Sequence, residues 1–222
     1  AADIVLTDDN FATIVAAIEE GRRQYMNIRK FVQFLVAHNI GEVTAILANI
    51  IIGGPLILIP LQILWINLAT DSVTALALSV EKAEENIMDE PPRAIDKPLI
   101  DRMSIIVLGA LGLYTGLATL ALYQFYLGQS HALANSVAFT AIVIMAQVLV
   151  LNFRHLNGPV SVIGWFSNPW LLLAIFAMVG MQAAALYVPA LQNILHTMPL
   201  SAQEWIAIAL TSLPLFVVPE IC

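Results

Sequence analysis

Long apolar stretches separated by short polar segments dominate the chain. Six of these stretches approach the roughly 20 residues that a helix needs to cross the hydrocarbon core of a bilayer. The six predicted spans are Phe31–Ile52, Ile59–Val80, Ser104–Leu127, Val137–Phe153, Trp170–Val188 and Trp205–Val218. The fourth and sixth stretches are short for this purpose. The pattern predicts an all-α membrane protein with six transmembrane helices.

A different pattern precedes the first span. Residues Ala1–Leu6 predict a short strand, and the polar cluster Thr7–Asn10 is typical of a turn followed by a helix N-cap. Apolar residues then recur at helical spacing from Phe11. We expect one long helix from about Phe11 to Ile52, spanning ~63 Å, and we interpret the strand as the remnant of an α/β domain of a longer protein.

Composition supports a membrane environment. Apolar residues make up 59% of the chain and charged residues 11%, against roughly 45–50% and about 25% in soluble proteins. This excludes an ordinary soluble enzyme. A net charge of −7 argues against nucleic acid as a partner, and the single cysteine, Cys222, excludes disulfide frameworks and cysteine-based metal sites.

All nine Lys and Arg residues fall on one side of the predicted bundle. Four precede the first span, four lie between the second and third spans, and Arg154 follows the fourth. The three opposite loops contain none. The positive-inside rule therefore places both termini in the cytosol. An error in the span count would destroy this separation, so the orientation and the count support each other.

Two carboxylates, Glu42 and Asp71, lie near the middle of predicted spans. A charged side chain at the bilayer centre costs at least ~2.5–3.5 kcal/mol, so its presence usually indicates an ion path, a proton relay or a buried partner. No Lys or Arg lies at this depth, and His38 is one helical turn from Glu42. We therefore do not expect a salt bridge to account for the two carboxylates.

The neighbours of these carboxylates supply further oxygen atoms on the same helical faces. The tight connection Gly53–Pro55 makes the first two spans antiparallel neighbours, which brings the carboxylates to similar depth. Such oxygen donors suit a hard cation such as Ca2+. Residues 67–72 form helix poorly, which would free backbone carbonyls as further ligands. The predicted cation ligands are Asn39, Glu42, Asn67, Thr70 and Asp71.

Single amides and hydroxyls inside membrane proteins also join helices through hydrogen bonds. That interpretation applies to Asn39, Asn67 and Thr70 when each is taken alone. Gln147, deep in the fourth span, could complete the ligand set, although a lone amide more often joins helices. The chain contains none of the common nucleotide-binding, metalloprotease or serine-hydrolase motifs, so we predict no catalytic machinery within it.

Several stretches carry a family resemblance: AADIVLTDDNFATIVAAIEEGR, HNIGEV, LQILWINLATDSVTALAL, ENIMDEPPR and KPLI. They closely resemble the C-terminal part of P-type cation-transporting ATPases of the Ca2+-pump class, similar to the sarco/endoplasmic reticulum pumps. The resemblance is most specific through Ile100. It implies that the six spans are helices five to ten of such a pump. The implied domains are 1–22, the end of the phosphorylation domain and the stalk start; 23–102, the first helix pair with the ion site; and 103–222, a supporting four-helix region.

The resemblance also implies roles for the predicted ligands. The equivalents of Asn39, Glu42, Thr70 and Asp71 ligate one transported Ca2+, and Asn67 with Asp71 helps to bind a second. The eighth-helix ligand of the family aligns with Ala146, one place from Gln147.

The activity implied is that of a P-type ATPase that exports Ca2+ from the cytosol, with proton counter-transport. ATP and Mg2+ would bind to cytosolic domains outside this sequence, so this portion alone would not be catalytic. Its implied partners are the lipid bilayer and the remaining domains of the same chain, and its implied location is the cell membrane, as a multi-pass protein.

Two other classes of function stay open from the residues alone. One is a standalone secondary transporter or channel that moves a hard cation through Glu42 and Asp71. The other is a structural membrane module in which the buried polar residues only join helices.

Overall fold

The computed structural model describes residues 10–83, 87–89, 91, 98–156, 158 and 160–221, with side chains described only as far as Phe216 in the last helix. The strand predicted at Ala1–Leu6 lies outside the described residues, as do residues 84–86, 90 and 92–97 of the charged loop between the second and third spans. The remnant of an α/β domain therefore stays a prediction.

The described residues form helices and contain no strand, which confirms the all-α prediction for this part of the chain. The helices are α1 (Phe11–Ile51), α2 (Pro60–Leu64), a π-helix π1 (Trp65–Asp71), α3 (Ser72–Ser79), α4 (Arg102–Leu127), α5 (His131–Asn152), α6 (Val160–Ile163), α7 (Pro169–Tyr187), α8 (Pro189–Leu195) and α9 (Ala202–Ile221).

Five helical units among the described residues are long and apolar enough to cross a membrane. They are α1, the continuous unit Pro60–Ser79 formed by α2, π1 and α3, and then α4, α5 and α7. The sixth predicted span, Trp205–Val218, lies within α9. The described part of the chain therefore has the architecture of a membrane protein with several spanning helices.

Helix α1 is continuous over 41 residues, which corresponds to a length of about 60 Å. It begins where the sequence predicts, because the side-chain oxygen of Asn10 accepts a hydrogen bond of 3.0 Å from the N–H of Ala12. It ends ahead of Gly53, whose φ of +73° lies in the left-handed region that favours glycine. The predicted single long helix is confirmed.

Small residues let α1 and α4 approach closely. A Cβ atom added to Gly112 would lie 2.6 Å from the carbonyl oxygen of Ala37, and one added to Gly116 would lie 2.5 Å from that of Gly41. The two α4 glycines are spaced as in the GxxxG pattern of packed membrane helices. This contact fixes the position of the α1 segment that carries Glu42.

Helix α5 is the central helix of the bundle. It contacts α1, α3, α4, α7 and α9, and most of its side chains are buried. It begins at His131, six residues before the predicted span Val137–Phe153, and polar residues in this added segment bond to neighbouring parts of the chain. The amide nitrogen of Asn135, for example, donates to the carbonyl oxygen of Ile57 at 2.9 Å.

The described basic residues gather at one end of the bundle. The Arg22 side chain donates to the carbonyl oxygen of Ile87 at 2.7 Å, and that of Arg29 donates to the carbonyl oxygen of Leu99 at 3.1 Å. At the opposite end, Tyr123 donates to the carbonyl oxygen of Pro55 at 3.0 Å. The connections at that opposite end carry no Lys or Arg, as the predicted separation of charge requires.

Candidate cation site

The second span departs from α-helical geometry where the sequence predicts a poor helix former. Residues Trp65–Asp71 form the π-helix π1, in the middle of the unit Pro60–Ser79. Wide turns of this kind occur frequently at functional sites. The hydroxyl of Ser72 donates to the carbonyl oxygen of Asn67 at 3.0 Å. Asp71 is the last residue of this distorted segment.

Glu42 and Asp71 are both buried between α1 and π1, with exposed fractions of 5% and 2%. The amide of Asn67 lies next to them, since its nitrogen is 3.4 Å from Glu42 Oε2. Within the described part of the chain, Glu42 Oε1 and Asp71 Oδ1 are buried and have no hydrogen-bond partner. Two such oxygens are costly unless a donor or a cation compensates them.

His38, the one basic side chain that the sequence places near this depth, accompanies these carboxylates, and its partner is Asp71 on the second span. His38 is fully buried, and its Nδ1 lies 2.8 Å from Asp71 Oδ2. Its ring stacks on Phe34, with centroids 6.1 Å apart and an interplanar angle of 11°. The sequence shows His38 one turn from Glu42 on the same helix, but its contact with Asp71 depends on how the two helices pack.

Thr70 and Gln147 are also buried in this region. Gln147 extends from α5 towards α3, where its Oε1 accepts a hydrogen bond of 3.2 Å from the hydroxyl of Thr74. Its Nε2 has no partner among the described residues. Because its oxygen is already bonded to Thr74, Gln147 in this arrangement joins α5 to α3, the role that a lone amide most often has.

Asn39 and Asn67 lie on exposed faces of their helices. The Asn39 amide nitrogen donates to the carbonyl oxygen of Leu35, one turn earlier on α1, at 2.8 Å. The structure thus brings Glu42, Asn67 and Asp71 together with His38, and it places Asn39 to one side of them.

The chemistry of this cluster is that of oxygen donors. Over the described ranges, no three His, Cys, Asp or Glu side chains form a group that could hold a metal ion by themselves. A cation here would need amide, hydroxyl or backbone oxygens in addition to the two carboxylates. That requirement suits a hard cation with a high coordination number better than a transition metal.

Comparison with known protein families shows to which family the chain belongs. The family model described as "Cation transporting ATPase, C-terminus" matches residues 55–222. The chain belongs to this family. The match covers every helix from α2 onwards, including π1, and the resemblance of the sequence to P-type cation-transporting ATPases is confirmed.

Individual relatives extend the match to the N-terminal part of the chain. It is 31% identical to the Endoplasmic reticulum calcium ATPase srcA of Aspergillus fumigatus, over 100% of this chain and 26% of the relative. It is 34% identical to the Calcium-transporting ATPase of Bacillus subtilis, over 97% of this chain and 25% of the relative. It is 30% identical to the Calcium-transporting ATPase 4, endoplasmic reticulum-type, of Arabidopsis thaliana, over 100% and 26%. The chain thus spans about a quarter of the length of these relatives.

Proposed function

We propose that this chain is the ion-binding membrane portion of an ATP-driven pump that exports Ca2+ from the cytosol. The observation that carries the proposal is the pair of buried carboxylates, Glu42 and Asp71, each with one oxygen that has no hydrogen-bond donor among the described residues. Family membership and relatives named as calcium-transporting ATPases support the same conclusion. These relatives match almost the whole chain, which does not favour a standalone transporter or channel.

The proposed ligands lie on two helices. Glu42 and Asp71 contribute charge, and Thr70 and Asn67 contribute neutral oxygens from π1. Asn39 stays in the set because its bond to Leu35 uses the amide nitrogen and leaves the oxygen available. Ca2+ takes six to eight oxygens, so backbone carbonyls near π1 would supply the remainder. Gln147 on α5 is the weakest member of the proposed ligand set, because its oxygen already accepts a hydrogen bond from Thr74.

Transport requires that the oxygen cage open alternately to the two sides of the membrane. In the proposed pump, an aspartyl phosphate forms and breaks down in cytosolic domains outside this sequence, which bind ATP and Mg2+. Helix α1 supports a mechanical link, since its length of about 60 Å exceeds the ~30 Å hydrocarbon core. Glu42 lies on this helix, and we assign it the proton exchange that follows ion release.

The proposed topology has six crossings, with α9 as the last, and both termini in the cytosol. Two contacts support it. Asn152, at the end of α5, donates to the carbonyl oxygen of Leu215 at 2.8 Å, and Trp165 stacks on Phe216 with centroids 4.9 Å apart. Both contacts bring the far end of α9 to the end of the bundle where the basic residues gather.

The test uses the full-length protein that contains this chain, in native-like membranes. ATP-dependent phosphorylation is measured against free Ca2+ for the wild type, Glu42→Gln and Asp71→Asn. We expect each substitution to raise the half-saturating Ca2+ concentration by more than about tenfold or to abolish the response. Asp101→Asn is the matched control, because it makes the same chemical change at an exposed carboxylate away from the site. Wild-type Ca2+ dependence in Asp71→Asn would overturn the proposal.

A further inference from the structure

His38 is the buried polar group beside the proposed ligands that has no role among them. It has no solvent exposure, and its Nδ1 is 2.8 Å from Asp71 Oδ2. A carboxylate that binds a cation is ionised and can only accept hydrogen bonds. In the proposed site, the contact is therefore a hydrogen bond that His38 Nδ1–H donates to Asp71.

This hydrogen bond makes the two oxygens of Asp71 different from each other. Oδ2 is held by the imidazole, while Oδ1 is buried and has no partner among the described residues. A carboxylate fixed through one oxygen no longer rotates freely, so Oδ1 points in one direction. The imidazole is itself restrained, because it stacks nearly parallel to the ring of Phe34.

We infer that His38 is a positioning residue of the cation site, which holds Asp71 through Oδ2 and presents Oδ1 to the ion. The inference rests on the proposed function. Hydrogen bonds of this kind to metal-binding side chains typically change metal affinity by about 10–100-fold when they are removed.

The test measures ATP-dependent phosphorylation against free Ca2+ in the full-length protein. His38→Phe keeps an aromatic ring and removes the donor, so we expect a half-saturating Ca2+ concentration roughly 10–100-fold higher with an unchanged maximal phosphorylation level. His38→Asn retains an N–H group close to the position of Nδ1 and should restore most of the affinity. Phe34→Leu is the control for packing, because it disturbs the ring beside His38 and leaves the donor in place.

Three results would overturn the inference: wild-type Ca2+ dependence in His38→Phe, a loss of maximal phosphorylation in that variant without a change in half-saturation, or an equal shift in Phe34→Leu. The outcome for Asp71→Asn separates this inference from the proposed function. If Asp71→Asn behaves as the wild type, the proposed function fails. If Asp71→Asn is impaired and His38→Phe is normal, only the positioning role fails.

Discussion

At the scale of single residues, buried polar side chains fall into two groups. Gln62 represents the first group: its oxygen accepts from the N–H of Ile59, and its nitrogen donates to Asn135 Oδ1 and to the carbonyl oxygen of Leu195. Its hydrogen-bonding capacity is used in joining helices. Glu42 and Asp71 represent the second group, because each has an oxygen for which the described part of the chain provides no donor. A cation can be bound only where such capacity remains.

Asp101 gives a pH-dependent prediction at the same scale. Its carboxylate caps α4 by accepting a hydrogen bond of 2.7 Å from the backbone N–H of Ser104, and this bond lowers the pKa of Asp101 below its usual value. A folded-state pKa below the unfolded one stabilises the protein above the unfolded value, near 4. That contribution is lost as the pH falls through the folded value.

We expect Asp101→Ala to lower the free energy of unfolding by about 0.5–1 kcal/mol at pH 7, since the side chain is more than half exposed. The loss should be smaller at about pH 3.5. Thermal unfolding in detergent at the two pH values measures the difference. Asp101→Asn is the control, because it keeps an accepting oxygen and removes the ionisation. An equal loss at both pH values in Asp101→Ala would contradict the assignment.

The sequence reveals some site residues more readily than others. Glu42 and Asp71 could be predicted because a charge inside an apolar stretch is visible without a structure. The pairing of His38 with Asp71 could not, because the two residues are 33 apart in sequence and meet only where their helices pack. Asn39 shows the converse: it is three residues before Glu42, yet its side chain bonds to its own helix.

At the scale of helices, the contact between α1 and α4 depends on glycine. We expect Gly112→Ala to destabilise the bundle by about 1–3 kcal/mol, because the added Cβ would lie 2.6 Å from a backbone oxygen of α1, which cannot move aside easily. Gly109→Ala is the matched control on the same helix, since nothing lies within 4 Å of its added Cβ. Thermal unfolding of both variants in detergent compares them. Equal effects of the two substitutions would show that close packing does not set the cost.

A buried ion pair joins several helix ends. The Arg154 side chain is fully buried and donates two hydrogen bonds to Glu81, of 3.1 Å and 3.0 Å. It also donates to the carbonyl oxygen of Trp165 at 2.8 Å, and Asn168 donates to Glu81 at 3.0 Å. The ends of α3 and α5 are thereby held against the segment that leads into α7.

Loss of one partner from this pair should cost more than loss of both. We expect Arg154→Met to lower the free energy of unfolding by about 3–5 kcal/mol, because it leaves Glu81 buried without its counter-charge. Adding Glu81→Leu to that variant should recover part of the loss. A double-mutant cycle measured by denaturation in detergent gives the coupling between the two side chains. Additive losses would contradict a direct interaction.

The helices themselves were largely predictable, and their ends were less so. The length and apolar character of α1 and α4 are visible in the sequence. Helix α5 begins at His131, ahead of the predicted span Val137–Phe153, because polar residues such as Asn135 form hydrogen bonds that only the folded neighbours reveal. Helix α8 lies in the connection between the predicted spans Trp170–Val188 and Trp205–Val218, and Pro189 occupies its first turn.

At the scale of the whole molecule, the bundle has a basic end, an opposite end without basic residues, and the candidate cation site between them. The described basic residues lie at one end, and the basic-free connections lie at the other. The buried carboxylates lie between these ends, on α1 and π1. Helix α1 runs through both the basic end and the candidate site, so a displacement of its N-terminal half would reach Glu42 along a continuous helix.

Glu42 and Asp71 together are the proposed ligands of the transported ion. Equilibrium binding of radioactive Ca2+ to the purified full-length protein, without ATP, measures this directly. We expect saturable binding in the wild type and in Asp101→Asn, and its loss in the double variant Glu42→Gln with Asp71→Asn. Unchanged saturable binding in that double variant would show that the two carboxylates do not bind the ion.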